Sequence, residues 1–259
     1  MVISLENVNK SFGKQLTLNN ISVTFPANGI SVVVGAHDSG KTTLLRLLSG
    51  ELKHDSGRIS MKKMVLKAFA DGKNDCSLGL KTAELYVLHT LLYRNFDKKT
   101  FDSLLSEAEI AENSKFSSLS DAEKAWFNIS LVIASNADIM LFDEPLSELD
   151  SEMKVRALEL LDKAAKEGRT VIVSAQEIGE LEPLTTFTAA LNKGNLVLAG
   201  ETEKLIFSHR LFPGASTISP DFKVIGPVVN ERLVEISDDF GRIATLKEII
   251  LGYINGSSS

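Results

Sequence analysis

A glycine-bounded segment near the N-terminus has the spacing of a phosphate-binding loop. It consists of Gly35-Ala36-His37-Asp38-Ser39-Gly40-Lys41-Thr42 and fits the pattern G-x-x-x-x-G-K-[ST]. Glycines allow a backbone to wrap around a phosphate chain, while successive N–H groups and a helix N-terminus supply partial positive charge. Lys41 is expected to reach the β- and γ-phosphates, and Thr42 to offer its hydroxyl to Mg²⁺. The segment therefore predicts a site for the phosphates of a nucleotide.

Two adjacent carboxylates follow a short apolar run farther along the chain. Residues 139–142 are all apolar, and Asp143 and Glu144 come directly after them. Ligands of open α/β sheets lie at the carboxyl ends of the strands, so this pattern places both acids beside a ligand. Asp143 is expected to hold Mg²⁺ through a water molecule, and Glu144 to polarise an attacking water. Together with the loop, the acids predict hydrolysis of a phosphate chain.

Both motifs lie within an alternation of strands and helices. Residues 30–34 are β-branched and almost entirely apolar, which predicts a strand buried on both faces of a mostly parallel sheet. Strands at 139–142 and 171–174 flank a predicted helix at 151–166, and this alternation is typical of an α/β domain. The other predicted elements are a helix at 42–48, strands at 2–8, 16–25, 58–70 and 222–236, a hairpin at 190–198, and helices within 82–113 and at 243–254.

Composition excludes several classes of protein. The chain has 259 residues, of which 44 % are apolar and 24 % charged, as in ordinary globular domains. These values exclude a disordered chain, a collagen and a coiled-coil rod. With 34 acidic and 28 basic residues the net charge is −6, which argues against a nucleic-acid partner. No apolar run reaches the roughly 18 residues that span a bilayer, so membrane association is expected to need a partner. A single cysteine, Cys76, excludes an internal disulfide.

Further motifs, in the same order along the chain, resemble those of the ATP-binding subunits of ABC transporters. Phe12 stands where that family has an aromatic residue that stacks on adenine. The segment Leu119-Ser120-Asp121-Ala122-Glu123 stands at the position of the L-S-G-G-Q signature, and residues 147–150 match the D-loop. Gln176 follows a strand at the position of the family's switch histidine.

The resemblance covers residues 1–206 and implies the ABC ATPase fold. That fold is an α/β P-loop NTPase core with a mostly parallel sheet, an antiparallel β subdomain and a small helical subdomain, here at about residues 80–118. Residues 207–259 are expected to form a C-terminal extension. Within it, residues 244–251 are similar to the ending of exporter-type members, although an amphipathic helix with its own cap explains the same residues.

The resemblance also implies a set of site residues, with ATP and Mg²⁺ as cofactors. Lys41, Glu144 and Gln176 are the expected catalytic residues, and Thr42 and Asp143 the expected metal ligands. The residues expected to bind the nucleotide are Phe12, Gly35, Ala36, His37, Asp38, Ser39, Gly40, Lys41, Thr42, Thr43 and Ser120.

The signature departs from the family pattern. Ser120 is kept, but Asp121 and Ala122 replace two glycines and Glu123 replaces the glutamine. A carboxylate about 6 Å from a phosphate oxygen repels it by about 3 kcal/mol at an effective dielectric of about 20. A helix N-terminus returns only about 0.3–2 kcal/mol. In the family, two subunits enclose each ATP between the phosphate loop of one subunit and the signature of the other. Carboxylates that face the phosphate therefore disfavour this closure over ATP, whereas carboxylates that point to water are screened. The spacing of Ser120 and Glu123 also fits a capping box.

Two further positions that support turnover in the family are altered. The Q-loop glutamine is expected near residues 70–72, yet no glutamine occurs between Lys41 and Gln176. Asp71 is either a metal-side ligand or a turn aspartate. Gln176 can bond a phosphate oxygen, but unlike histidine it carries no proton or positive charge. We therefore expect ATP binding to be kept better than ATP hydrolysis.

The expected function is that of an exporter-type ABC transporter subunit that binds Mg-ATP and hydrolyses it slowly to drive a membrane permease. The permease is expected to bind the helical subdomain, which places the chain in the cytoplasm on the inner face of the cell membrane. The chain is expected to pair with a second copy or with another ATPase subunit. Two alternatives stay open: a regulatory ATP-binding module that pairs with a more orthodox subunit, and a soluble ABC-type ATPase of an assembly system.

Overall fold

A computed structural model describes residues 3–61, 65–71, 79–220, 222–236 and 241–257. Val2 in the first predicted strand, Gly72 in the expected Q-loop and Cys76 lie outside the described residues. The strands are β1 (Ile3–Phe12), β2 (Gln15–Phe25), β3 (Gly29–Val34), β4 (Ser56–Ser60), β5 (Lys67–Ala70), β6 (Ile139–Asp143), β7 (Thr170–Ala175), β8 (Thr185–Asn192), β9 (Asn195–Glu201), β10 (His209–Pro213), β11 (Lys223–Val228), β12 (Glu231–Glu235) and β13 (Arg242–Ile243). The α-helices are α1 (Lys41–Ser49), α2 (Thr82–Leu92), α3 (Lys98–Glu107), α4 (Asp121–Ala134), α5 (Ser151–Lys166), α6 (Thr202–Phe207) and α7 (Leu246–Gly256).

The main sheet has the strand order β5-β6-β7-β3-β8-β9. Its first five strands are parallel, and β9 pairs antiparallel with β8 through a turn at Lys193 and Gly194. A separate antiparallel sheet has the order β2-β1-β4. The predicted α/β class is confirmed. The predicted strand region at 58–70, of which residues 62–64 lie outside the described part of the chain, contains the end of β4 and all of β5, which belong to different sheets.

The main sheet is buried on both faces because its central strands are apolar at successive positions. On one face, Val32 of β3 packs in a core with Phe142 of β6 and Trp126 of α4. On the other face, Val33 packs with Leu45 of α1 and with the antiparallel sheet. Side chains of a strand point alternately to its two faces, so residues 32 and 33 belong to different cores. This burial fixes β3 and β6, whose carboxyl ends carry the phosphate loop and the acid pair.

The region around α2 and α3 is helical, as the sequence predicts. Aromatic rings of Tyr86, Phe96, Phe101 and Phe127 stack or meet edge to face, with ring centroids 5.5–5.6 Å apart. The indole nitrogen Nε1 of Trp126 also donates a hydrogen bond of 2.7 Å to a backbone carbonyl of α3. These contacts pack α2 and α3 on α4. In the described part of the chain, no helix has the length and apolar character needed to cross a bilayer.

The C-terminal residues form a further antiparallel sheet, β11-β12-β10-β13, against which α7 packs. The predicted helix at 243–254 begins later than expected, since Ile243 belongs to β13 and Thr245 is the N-cap of α7. A capping box fixes this start: the Glu248 carboxylate accepts the Thr245 N–H, and Thr245 Oγ1 accepts the Glu248 N–H. The predicted boundary at residue 206 falls inside α6.

Helix α7 lies close to β11 because glycines face each other across their contact. A Cβ atom on Gly226 would lie 2.3 Å from the carbonyl oxygen of Gly252 and 2.8 Å from the nitrogen of Gly256. Both neighbours are backbone atoms, which move less readily than the end of a side chain. The glycines therefore set the distance between helix and sheet.

We predict that Gly226→Ala lowers the free energy of unfolding by about 1–3 kcal/mol, the usual effect of overpacking. Urea unfolding followed by circular dichroism measures this change. Gly200→Ala in β9 is the matched control, because its added Cβ would meet only the flexible side chain of Leu205, at 3.1 Å. Equal losses for the two variants would contradict the close packing of α7 on β11.

Candidate functional site

The phosphate loop connects the end of β3 to the start of α1. Asp38 and Gly40 have positive φ angles of 59° and 104°, which turn the chain back toward the helix. A Cβ on Gly35 would lie 2.4 Å from the carbonyl oxygen of Leu191, and one on Gly40 would lie 2.6 Å from the Leu18 side chain. Glycine is therefore required at both ends of the loop. The N-terminus of α1 is directed at this loop, which favours an anion there.

Lys41, the first residue of α1, has a buried ammonium group with three oxygen partners. The residue is only 4 % exposed. Its Nζ donates to the carbonyl oxygens of Gly35 and Ala36, at 2.8 and 3.0 Å, and lies 3.1 Å from Glu144 Oε1. A buried charge needs such partners, because removal from water without compensation is costly. A phosphate oxygen could replace the Glu144 carboxylate as the charged partner.

Asp143 connects the loop helix to the strand edge through two hydroxyl groups. Its Oδ2 accepts a hydrogen bond of 2.7 Å from Thr42 Oγ1, and its Oδ1 accepts one from Ser174 Oγ on the neighbouring strand β7. The carboxylate is 5 % exposed. Thr42 and Asp143 thus bring together a hydroxyl and a carboxylate, the hard oxygen ligands that Mg²⁺ prefers. These residues fit the metal expected from the sequence.

Glu144 has a strained backbone and a carboxylate held at both oxygens. Its φ angle is 46°, an uncommon value for a residue other than glycine. Oε1 pairs with Lys41, and Oε2 accepts a 3.0 Å hydrogen bond from Gln176 Nε2. Burial alone would raise the pKa of Glu144, but the hydrogen bonds from Gln176 and Lys41 and the charge of Lys41 outweigh it and lower the pKa. Glu144 is therefore ionised at neutral pH.

Ser39 carries a buried polar atom without a partner. The residue is 3 % exposed, and its Oγ has no hydrogen bond in the described structure. Buried polar groups are rarely left unpaired, but this hydroxyl does not line the cleft and therefore gives no evidence for a ligand there. The same loop fits a phosphate chain through its backbone and through Lys41.

Most of the expected site residues line one cleft of about 600 Å³. Gly35, Ala36 and Ser39 belong to the loop but do not line the cleft, and neither does Ser120. Four residues that had no assigned role also line it: Gln15 and Thr17 of β2, and Ser147 and Glu148 of the D-loop match. The expected site residues that line it are Phe12, His37, Asp38, Gly40, Lys41, Thr42, Thr43, Asp143, Glu144 and Gln176.

Phe12 lies at the edge of the cleft, at the end of β1. Its side chain is 49 % exposed, an unusual exposure for a large aromatic residue. The Nζ of Lys10 lies 5.4 Å from the centre of the ring and is held by Asp55, with Nζ and Oδ1 2.8 Å apart. The exposed part of the ring is accessible to a planar ligand at the mouth of the cleft.

Ser120 is the N-cap of α4, and Glu123 occupies its hydrogen-bonding groups. Glu123 Oε2 accepts from both the N–H and the Oγ of Ser120, each at 2.7 Å, and the Glu123 N–H donates back to Ser120 Oγ. The capping box expected from the sequence is confirmed. The Glu123 carboxylate is therefore hydrogen-bonded to Ser120, the serine that the resemblance assigns to phosphate binding.

Asp71, a candidate metal-side ligand, is paired elsewhere. Its Oδ2 accepts a hydrogen bond from Arg46 of α1, and the two form an ion pair. The guanidinium and the carboxylate satisfy each other. The contacts of Asp71 therefore agree better with a turn aspartate than with a metal ligand. Gly72 and the residues that follow, up to residue 78, lie outside the described part of the chain.

The phosphate loop, the acid pair and the mostly parallel sheet define an α/β ATPase of the P-loop class. The chain belongs to the ABC transporter family, because the family model for ABC transporters matches residues 18–147, half of its length. Within that family it is an ATP-binding subunit with the ABC ATPase fold.

The relatives and a solved structure agree with this assignment. The arginine transport ATP-binding protein ArtM of Bacillus subtilis is 27 % identical, and the match covers 81 % of this chain and 95 % of ArtM. The methionine import ATP-binding protein MetN of Clostridioides difficile is 26 % identical, with 97 % of this chain and 90 % of MetN covered. A dimeric ATP-binding cassette solved after hydrolysis, with ADP and inorganic phosphate bound, has a TM-score of 0.68 at 21 % identity over 77 % of this chain and 98 % of that one.

We predict that Lys41→Ala weakens ATP binding about 10- to 100-fold, because a hydrogen bond to a charged group contributes about 1.5–3 kcal/mol. Calorimetric titration with Mg-ATP measures the dissociation constant. Lys204→Ala is the control, since Lys204 pairs with Glu201 on the surface with 77 % of its side chain exposed. Unchanged binding by Lys41→Ala would show that the cleft is not the phosphate site.

Proposed function

We propose that this chain binds Mg-ATP and hydrolyses it slowly to drive transport by a partner membrane permease. The observation that carries the proposal is the convergence of Lys41, Asp143 and Glu144 at one cleft beside the phosphate loop. Family membership supports ATP binding, and the geometry supports a site for both the triphosphate and its metal.

Each residue has a part that follows from its contacts. The triphosphate takes the place of Glu144 beside Lys41, which frees the Glu144 carboxylate. That carboxylate then accepts a proton from the water whose oxygen bonds to the γ-phosphorus, while the bond from this phosphorus to ADP breaks and ADP and phosphate leave. Thr42 and Asp143 would hold Mg²⁺, which would neutralise charge on the phosphates. Phe12 stacks on the base. Gln176, which donates to Glu144, keeps that carboxylate oriented after Lys41 has released it.

Two features support slow hydrolysis. Gln176 replaces a residue that can carry a proton, so it orients Glu144 but supplies neither a proton nor a positive charge. Glu123 takes up both donors of Ser120, so this serine is not available to a phosphate without breaking the capping box. Both features weaken the step after binding more than binding itself.

An apolar surface on α2 supports the permease as partner. Val87, Leu88, Leu91 and Leu92 are 46–75 % exposed and lie next to one another at helical spacing. Large exposed apolar patches mark interaction sites on soluble subunits. We propose that this surface binds the permease and that the chain works in the cytoplasm, peripheral to the inner face of the cell membrane.

We propose import as the direction of transport. MetN, whose match covers nearly the whole chain, is named as an import protein, and this supports import. The expectation of export rests on the sequence of residues 244–251. The capping box of Thr245 and Glu248 explains this segment as the start of α7, without any relation to exporters.

A regulatory module is the second candidate function, favoured by the contact between Glu123 and Ser120. In that case the chain binds ATP at its own loop, hydrolyses little, and pairs with a subunit whose signature is orthodox. A soluble ABC-type ATPase of an assembly system is the third candidate; it differs in having only soluble partners.

We predict that Glu144→Gln keeps ATP binding but slows single-turnover ATP cleavage about 100-fold or more, because the amide cannot accept the proton. Quenched mixing of excess protein with labelled Mg-ATP measures the cleavage. Glu203→Gln, at an exposed position of α6 that does not line the cleft, is the control and should cleave at the wild-type rate. Cleavage by Glu144→Gln at the wild-type rate would remove Glu144 from the mechanism, and a wild type that binds ATP without cleaving it favours the regulatory candidate.

We predict that Leu91→Glu abolishes co-purification with a membrane-spanning protein from detergent-solubilised membranes, because it places a charge in the apolar contact. Its ATP affinity should stay at the wild-type value. Ser103→Glu, at an exposed position of α3, controls for added charge in the same region. If Leu91→Glu still retains the permease, α2 is not the binding surface; if the wild type retains only soluble partners, the assembly candidate replaces the transporter.

A further inference from the structure

Ser174 is a buried hydroxyl at the edge where the site is built. It lies near the end of β7, is 0 % exposed, and pairs in register with Asp143 of β6. The three preceding residues of β7, at positions 171–173, are apolar and fully buried. A hydroxyl at such a position is costly unless it is hydrogen-bonded, so its partners are informative.

Its single oxygen binds both acids of the site. Ser174 Oγ donates to Asp143 Oδ1 and accepts a 2.9 Å hydrogen bond from the backbone N–H of Glu144. The first bond leaves Asp143 Oδ2 directed at Thr42 Oγ1, 2.7 Å away. The second bond holds the peptide of Glu144 while that residue has a φ angle of 46°.

Without this hydroxyl, Asp143 and Glu144 lose their side-chain hydrogen bonds to β7. The terminal torsion of an aspartate is soft, so the Asp143 carboxylate would rotate once Oδ1 has no donor. The Glu144 N–H would lose its acceptor, and the strained backbone would lose the bond that holds it. Groups that hydrogen-bond to a metal ligand typically affect metal affinity by about 10- to 100-fold.

We propose that Ser174 is a positioning residue that orients Asp143 toward the metal and Glu144 toward the water. The proposal rests on the proposed function, since it concerns the same Mg-ATP site. Ser174 does not line the cleft, so it acts through the two acids rather than through a contact of its own with nucleotide or metal. Its effect is specific: it acts on the Mg²⁺-dependent part of ATP affinity and leaves the contacts of the loop with the phosphates unchanged.

The test is calorimetric titration of ATP into the full chain, once with Mg²⁺ and once with EDTA. The dissociation constant in EDTA divided by the dissociation constant with Mg²⁺ gives the contribution of the metal to ATP affinity. For Ser174→Ala we expect this quotient to fall about tenfold below the wild-type value, because the constant with Mg²⁺ rises while the constant in EDTA stays unchanged. Ser130→Ala is the matched control, because Ser130 is also 0 % exposed and donates to a backbone carbonyl within α4, away from the site.

A second pair of variants separates the hydroxyl from the shape of the side chain. Ser174→Thr and Ser174→Val have nearly the same volume, but only threonine keeps the hydroxyl. We expect Ser174→Thr to restore the Mg²⁺ effect and Ser174→Val to lose it, even if Ser174→Ala fails to fold. A merely structural role would lower thermal stability and change both dissociation constants by the same factor.

The outcomes separate this inference from the function on which it rests. A wild type whose ATP affinity does not respond to Mg²⁺ would overturn the proposed function. A responsive wild type, together with equally responsive Ser174→Ala and Ser174→Val variants, would overturn only the role of Ser174.

Discussion

The buried ammonium of Lys41 is the constraint on which the site depends. A positive charge that is 4 % exposed must have charged or polar partners, and here it has two loop carbonyls and the Glu144 carboxylate. The hydrogen bonds from Lys41 to the Gly35 and Ala36 carbonyls hold the loop against the lysine. The ion pair with Glu144 holds the residue that follows β6 at the same place. The geometry that receives a triphosphate is therefore set by the need to satisfy one charge.

The fold meets this constraint because two parallel strands end at the same edge. Strands β3 and β6 flank β7 in the sheet, and both are buried on two faces, so their ends are held firmly. The edge places the phosphate loop after β3 and the acids after β6. Gln176 and Ser174 come from the end of β7, between them. The metal ligands, the base and the residues that orient them therefore share a rigid scaffold.

The sequence predicts the parts of this site that are local. Residues 35–42 and the acids at 143 and 144 follow directly from short motifs, and the capping box of Ser120 and Glu123 follows from spacing. Gln15 and Thr17 were not predicted, because they reach the cleft only through the packing of β2 against the loop. Strand β10 is also absent from the sequence predictions, since it pairs with β12, whose residues lie 18 to 26 positions farther along the chain. The bonds of Ser174 likewise depend on the register of two strands, which no local pattern specifies.

A crystal structure of the chain with Mg²⁺ and a non-hydrolysable ATP analogue tests the central claim most directly. Our account predicts phosphates along residues 35–42, a metal between Thr42 and Asp143, and Lys41 Nζ moved from Glu144 to a phosphate oxygen. A nucleotide bound elsewhere, or one bound here while Lys41 and Glu144 remain paired as before, would contradict it.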